Sequence, residues 1–151
     1  MPEAVSLTEP KAEWLLMDAA PTWSDDMARL MQGSDMVISP VEPDFLGLNG
    51  VSRLLQHMQA LGMPRNRLRL LICRYSSRLA IHREVRARLA SSFGQEGLLP
   101  VAIRNSVRLA EAPGQGRTIF NHAPESTGAI DYALLADVLT GHDRHSRKEP
   151  A

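Results

Sequence analysis

The side chains with most chemical potential in this sequence are one aspartate and a run of arginines. Asp18 follows the apolar run Trp14-Leu15-Leu16-Met17 and precedes the breaker Ala19-Ala20-Pro21. Four consecutive apolar residues suit a strand buried on both faces of a parallel sheet. A carboxylate at the carboxyl end of such a strand lies on the edge where these sheets take ligands, and could there hold Mg²⁺ or its water. The plainer alternative is an aspartate that caps the turn. The arginines are unevenly placed. Residues 65–117 carry eleven of them against Glu84, Glu96 and Glu111, a balance of +8, whereas residues 1–64 sum to −6 and 118–151 to −2, so the net charge is zero. A polyanion is therefore expected on the central stretch if anywhere.

Within that stretch Ile81, Val85, Leu89 and Phe93 mark the apolar stripe of a helix. At the helical turn angle, Arg83 and Arg86 fall about 60° apart on one flank and Arg88 on the other. Arg74 and Arg78 precede the helix, while Arg104, Arg108 and Arg117 follow it. Two readings stay open. One is a surface that contacts phosphates without reading bases; the other is a solvated helix face on which Glu84 pairs at i+4 with Arg88. Only Tyr75 and Phe93 interleave with these arginines, so stacking on single-stranded bases is not expected.

Other reactive residues read as structural. Cys73 is the single cysteine, cannot form an internal disulfide, and ends an apolar run, which suits a buried inert thiol. His142 and His145 have a ligand-like spacing but sit in the polar tail HDRHSRKEPA, where at most an adventitious metal would bind. Ser24 and His57 lack an oriented third member for nucleophilic catalysis. Hydrophobic residues at 44% and charged residues at 23% are ordinary for a globular chain of 151 residues. No apolar run approaches the ~18 residues of a membrane span, and the polar, acidic start lacks the pattern of a secretory signal. These features lead us to expect a cytoplasmic protein that does not enter membranes.

Positioning these side chains requires alternating strands and helices. The pattern predicts strands at 14–17, 36–38, 69–73 and 98–103, the last interrupted by Pro100. It predicts helices at 24–32, with Ser24 as N-cap and Gly33 after the end, at about 51–61 through Val51, Leu54, Leu55, Met58 and Leu61, and at 79–93. A helical turn is expected at 107–112, a brief extended segment at 118–120, and a final helix from Ser126 or Thr127 through Leu139, ended by Gly141. Strands alternating with helices imply an α/β fold, a mostly parallel sheet flanked by helices, with right-handed crossovers. The expected organisation is a flexible segment at 1–12, an α/β domain at 13–141 and a disordered tail at 142–151.

Four motifs occur in a telling order: Asp18-Ala19-Ala20-Pro21, Ser39-Pro40-Val41-Glu42-Pro43, Val107-Arg108-Leu109-Ala110-Glu111-Ala112-Pro113 with Gly116, and Gly128-Ala129-Ile130-Asp131-Tyr132. Together they resemble the C-terminal half of the ParA/MinD-type partitioning ATPases, the deviant Walker A group of P-loop NTPases, and the VRLAEAP stretch points to the ParA branch. The resemblance runs from about Glu13 to Gly141 and implies a partial P-loop NTPase fold. It further implies an ATP- and Mg²⁺-dependent dimer that binds DNA non-specifically, positions plasmids, chromosomes or other cargo, and answers to a ParB-like partner. By family position Asp18 matches the carboxylate that helps organise magnesium and the attacking water. Cys73 falls near the adenine site, and Arg104 falls where many relatives have a proline on the base. The arginines 74, 78, 83, 86, 104, 108 and 117 would serve DNA.

The departures from the family are equally specific. The group's P-loop, KGGxxK[ST], cradles phosphate with backbone N–H groups and lysine. No such sequence occurs in these 151 residues, whose two lysines are Lys11 and Lys148. The expectation is a truncated ParA-like chain that does not hydrolyse ATP alone. The alternative is a nucleotide-independent interaction or DNA-binding module that pairs with a full-length relative or a separate P-loop subunit. In complete relatives the P-loop strand lies between strands of this half, so its absence would leave unpaired edges, and self-association or a second chain is expected to cover them.

Overall fold

The structure, a computed structural model, describes residues 13–20 and 22–141. The expected N-terminal segment 1–12 and tail 142–151, with His142 and His145, lie outside the described residues. Two compact units divide the chain between Ser34 and Asp35.

In the first unit the helix α1 spans Asp25–Gly33, with the Ser24 hydroxyl accepting from the Met27 N–H and two aspartates in the first turn. Carboxylates there complement the helix dipole. The strand expected at 14–17 does not form: residues 13–20 carry neither helix nor strand, and Leu16 is 82% exposed. Four apolar side chains in a row signal an appetite for burial, but a strand also needs a neighbour for its backbone groups.

The second unit is a parallel sheet of β1 (Val37–Val41), β2 (Leu68–Tyr75) and β3 (Leu98–Arg104), in that spatial order. Parallel neighbours need crossovers, supplied by α2 (Phe45–Ala60) and α3 (Ala80–Gly97). Three shorter helices follow: α4 (Val107–Gly114), α5 (Ile119–His122) and α6 (Thr127–Thr140). Leu71 of β2 packs with Leu99 and Ile103 of β3 and Leu135 of α6. Alternation then turns Leu68, Leu70 and Ile72, all essentially buried, to the opposite face, the side that α2 and α3 cover. Helices on both faces explain why β2 reads as an unbroken apolar run. The α/β expectation, with its parallel sheet, is met.

Several boundaries differ from the pattern, each for a local reason. β1 continues through Pro40 to Val41. A proline is admissible there because β1 is an edge strand, where a missing N–H costs no ladder bond. α2 begins six residues before the expected stripe, because the Asp44 carboxylate accepts from the Gly47 N–H at 2.7 Å and caps it. Gly47 has no substitute: a Cβ would fall on the Glu42 carbonyl oxygen. α3 passes Gly94, which takes φ 65 and kinks the helix before its last turn. The extended segment expected at 118–120 is instead the start of α5, capped by the Thr118 side chain on the Asn121 N–H. α6 matches expectation, with Ser126 as N-cap and Gly141 left-handed at its end.

The register is broken twice, and both breaks matter. Between the pairs Leu70↔Leu98 and Ile72↔Ala102, β3 advances farther than β2 across Pro100. Between Ile72↔Ala102 and Tyr75↔Arg104 the extra residue lies on β2. That second irregularity contains Arg74, whose φ of 55 is left-handed. Bulges of this kind re-aim side chains at sheet ends, and the position usually favours glycine.

Candidate functional site

All three strands point their carboxyl ends to one rim, the edge where ligands enter open parallel α/β sheets. From β1 the rim receives Glu42, from β2 Cys73, Arg74 and Tyr75, and from β3 Arg104 and Asn105. The Asn105 N–H closes the β2–β3 end by donating to the Tyr75 carbonyl at 3.1 Å. The sequence-expected site residues Cys73, Arg74 and Arg104 are thus brought together on adjacent strands. Asp18 lies in the first unit, in the irregular exposed segment 13–20.

Arg104 is the most constrained of these. Its Nε and Nη2 donate to Asp131 Oδ1 at 3.1 and 2.7 Å, its Nε lies 3.0 Å from Oδ2, and its own backbone N–H reaches Oδ2 at 2.8 Å. Asp131 is 4% exposed and is the buried charged residue among those described. A buried carboxylate needs charge-assisted partners, and this fork-to-fork geometry supplies them. Hydrogen bonding to Asp131 holds the Arg104 guanidinium more firmly protonated than usual. The pair also ties the end of β3 to α6. Sequence reasoning assigned no role to Asp131, but a signal was present: Asp131, Leu135 and Leu139 share one helical face, and a carboxylate on an apolar stripe must find a cation or donor.

Arg74 pairs with Glu42 at 3.1 Å across the rim, both side chains being at least half exposed. Cys73 is half-buried, and burial first, then the negative charge of Glu42, push its thiol up from the ordinary range. The phenol of Tyr132 on α6 is likewise raised, by burial and then by Cys73. Cys73 and Tyr132 are therefore both neutral at physiological pH, beside a guanidinium whose plane is fixed. The rim thus carries Cys73, the Arg74–Glu42 pair and the Arg104–Asp131 clasp.

The remaining arginines lie on the β2–α3 loop, α3, α4 and the α4–α5 loop. The Tyr75 ring lies under the Arg86 guanidinium at 5.3 Å, and the Ser76 N–H donates to His82 Nδ1 at 3.0 Å, which places the proton of the neutral ring on Nε2. Arg83 donates to the Ser77 carbonyl. Arg78 and Arg117 are exposed and have no partner among the described residues. Arg108 is held by Glu111 at 2.8 Å, and Glu111 also meets the nearly buried His122 at 3.2 Å. Arg108 first, and His122 second, keep the Glu111 carboxyl below the usual carboxylate range. Neither Glu111 nor His122 was given a role from sequence, because their contact joins α4 to α5 across eleven residues.

Comparison with known proteins decides what this arrangement belongs to. The chain is 38% identical over 127 residues, 82% of its length, to the chromosome-partitioning ATPase Soj of Thermus thermophilus. It is 27% identical to the cell division protein PomZ of Myxococcus xanthus, over 89% of this chain, and 25% identical to the sporulation initiation inhibitor protein Soj of Bacillus subtilis, over 88%. The chain belongs to the ParA/Soj partitioning family. It spans about half the length of the curated relatives it matches, 51% for the Thermus protein and 43% for PomZ. No family model matches it. Within the family's frame, the VRLAEAP motif builds α4, and the Gly128–Tyr132 motif supplies Asp131 to Arg104 at the rim.

The groups the family uses can be tested against these residues. No cluster of three or more histidine, cysteine, aspartate or glutamate residues suited to a metal ion occurs among the described residues. Asp18 is one carboxylate and does not make a magnesium site by itself. The triphosphate end of ATP has no cradle here either, since the glycine-rich loop with its lysines is not in this sequence. Cys73 and Arg104, the two positions that the resemblance puts near the base, do lie at the carboxyl ends of adjacent strands. No helix among the described residues is long and apolar enough to cross a membrane.

Proposed function

We propose that this chain is the DNA-contacting rear half of a ParA-type partitioning switch, competent for nucleotide only when a P-loop is supplied by other polypeptide. The observation that carries this reading is the common carboxyl rim of β1, β2 and β3, with Cys73, Arg74 and Arg104 upon it, in a chain related to partitioning ATPases. Cys73 and Arg104 would border the adenine. Arg104, locked in plane by Asp131, is suited to stack on a base in place of the family's proline. Asp18 would join a magnesium site only in company of the missing phosphate loop. Alone, the chain lacks the charge-assisted contacts to phosphate, each worth ~1.5–3 kcal/mol, and neither grips nor hydrolyses ATP.

DNA binding rests on the arginines that no carboxylate holds: Arg78, Arg83, Arg86 and Arg117. Arg74, Arg104 and Arg108 are engaged with Glu42, Asp131 and Glu111 and contribute less to phosphate contact. The protein would work in the cytoplasm on the nucleoid, with a ParB-like partner. A second reading, an interaction module that joins a P-loop subunit without turning over nucleotide, is favoured by the open edge of β1. Edges of this kind pair with further strands.

Fluorescence anisotropy with a labelled duplex of random sequence, across a salt series, tests the DNA reading. The logarithm of affinity should fall with the logarithm of salt by about 0.9 per phosphate contacted. No salt-dependent binding overturns it. Magnesium-dependent ATP turnover by the purified chain, abolished in Asp18→Ala, would overturn the dependence on a supplied P-loop. Co-purification from the native host would identify a polypeptide carrying a P-loop, and ATP turnover by the two together separates the readings, since only the first expects it.

A further inference from the structure

A concavity lies between α2 and α3. It encloses about 390 Å³ and is lined by Leu48, Val51 and Leu55 from α2 and by Leu89 and Phe93 from α3. Phe45 stands at one end of it, 70% exposed, an aromatic residue at the first position of a helix with little to cover it. The lining positions Phe45 to Leu55 run along about 15 Å of α2 axis, at 1.5 Å per residue. That is the length of some three helical turns. The volume falls within the range of ligand sites, but the elongated shape and open Phe45 suit a rod more than a compact molecule.

The charge of this groove has one sign. Arg65 and Arg88 line it, and no carboxylate does. Arg65 is fixed: its guanidinium lies 4.2 Å over the Phe93 ring and donates to the Ser92 carbonyl at 3.0 Å. Arg88 is exposed and, among the described residues, has no partner, so the Glu84–Arg88 pair allowed by the sequence does not form. The groove therefore joins an apolar floor to two cations, one rigid and one unneutralised.

We infer that the α2–α3 groove docks an amphipathic helix of a partner protein, its apolar face on Phe45, Leu48 and Leu55 and an acidic flank on Arg65 and Arg88. Helix-in-groove recognition reads apolar anchors at i, i+3 or i+4 and i+7, the spacing that a floor of this length accepts. Complementary charge sets orientation and excludes basic helices. Nucleic acid is a poorer fit. The Phe93 face is already occupied by Arg65, and an apolar floor offers phosphates nothing. Its lining shares no residue with the rim, so its partner need not be the one that answers to nucleotide.

The test uses the full 151-residue chain and two fluorescein-labelled model helices with the same leucine stripe, one flanked by glutamates and one by lysines. Titration by anisotropy should show saturable binding of the glutamate helix, at least tenfold tighter than the lysine helix. Arg88→Glu and Phe45→Ala, both at exposed positions that leave the core intact, should each weaken the glutamate helix about tenfold or more, with unchanged circular dichroism. Equal binding of both helices, absence of saturation, or indifference to both substitutions would overturn the proposal. So would displacement of the bound helix by duplex DNA, which would make the groove part of a nucleic-acid surface.

Discussion

Arg104 and Arg78 belong to the same basic stretch, yet they do different work. Arg104 sits at the end of β3 with two of its side-chain donors, Nε and Nη2, on a carboxylate that is 5% exposed, and its own backbone N–H completes the clasp. Arg78 stands in the loop before α3 with no partner among the described residues. A balance of +8 over residues 65–117 describes both equally and so explains neither. What separates them is whether a neighbouring element delivers a carboxylate. α6 delivers Asp131 to Arg104, the β1 end delivers Glu42 to Arg74, and α4 delivers Glu111 to Arg108 within its own turn. Nothing is delivered to Arg78 or Arg117. The held arginines organise the rim, and the free ones retain the charge that a polyanion would meet.

The strongest way to break this comparison is to remove the buried member of the clasp. Asp131→Ala leaves the Arg104 N–H and guanidinium without their acceptor. Breaking a fully buried pair costs about 3–5 kcal/mol, and the part exposure of Arg104 brings the expectation to about 2–3 kcal/mol. Urea denaturation should show that loss, while Arg78→Ala stays within about 0.5 kcal/mol of the parent chain. Equal effects would erase the distinction.

Next in size is DNA affinity. Combining Arg78→Ala, Arg83→Ala and Arg86→Ala should lower it more than tenfold at low salt and flatten the salt dependence by about 0.9 per lost contact. The pair Arg74→Ala and Arg108→Ala should change the slope less. The reverse order would mean that the ion pairs open on binding.

Arg74 sharpens the comparison from within the held group. Its left-handed backbone costs a non-glycine residue about 1 kcal/mol or more, and its exposed pair with Glu42 returns less than about 1 kcal/mol. Arg74→Gly is therefore expected to stabilise the fold by several tenths of a kcal/mol to about 1 kcal/mol in urea melts. A destabilised variant would show that the Glu42 contact holds the rim together.

The smallest effect concerns Cys73. Burial and Glu42 raise its thiol in the folded state, so iodoacetamide labelling of the native chain should have its midpoint above the ordinary value of about 8.5. Glu42→Gln should lower that midpoint by less than unfolding does. The linkage has a definite sign. The contribution of Cys73 to stability is complete below the unfolded thiol's pKa and declines as pH rises through the folded one, because the unfolded state loses its proton first. A midpoint below that of the unfolded chain would contradict the half-buried placement.

Much of this molecule was legible beforehand. Ser24 and Ser126 cap the helices they were expected to cap, Gly141 ends α6 in the left-handed region, and the unbroken run of β2 is buried on both faces. Those features are local: a cap needs one side chain and one N–H three residues on, and the apolar run of β2 is a property of consecutive residues. Misreadings arose where a local pattern had two outcomes. Trp14 to Met17 looks like a strand but carries none, Thr118 begins a helix in place of an extended stretch, and Pro40 does not end β1.

The site divides along the same line. Residue order alone placed Cys73, Arg74 and Arg104 at strand ends, gathered the arginines into one stretch and carried the family resemblance, because strand termini and charge runs are properties of consecutive residues. Only the folded chain decided that Arg104 is bound to Asp131, that Arg74 occupies a bulge beside Glu42, that Glu111 meets His122, and that Arg65 and Arg88 share an apolar groove. Each of those joins side chains from segments separated by turns or whole elements. Coulomb attraction and desolvation act through distance in space, which spacing along the chain does not measure.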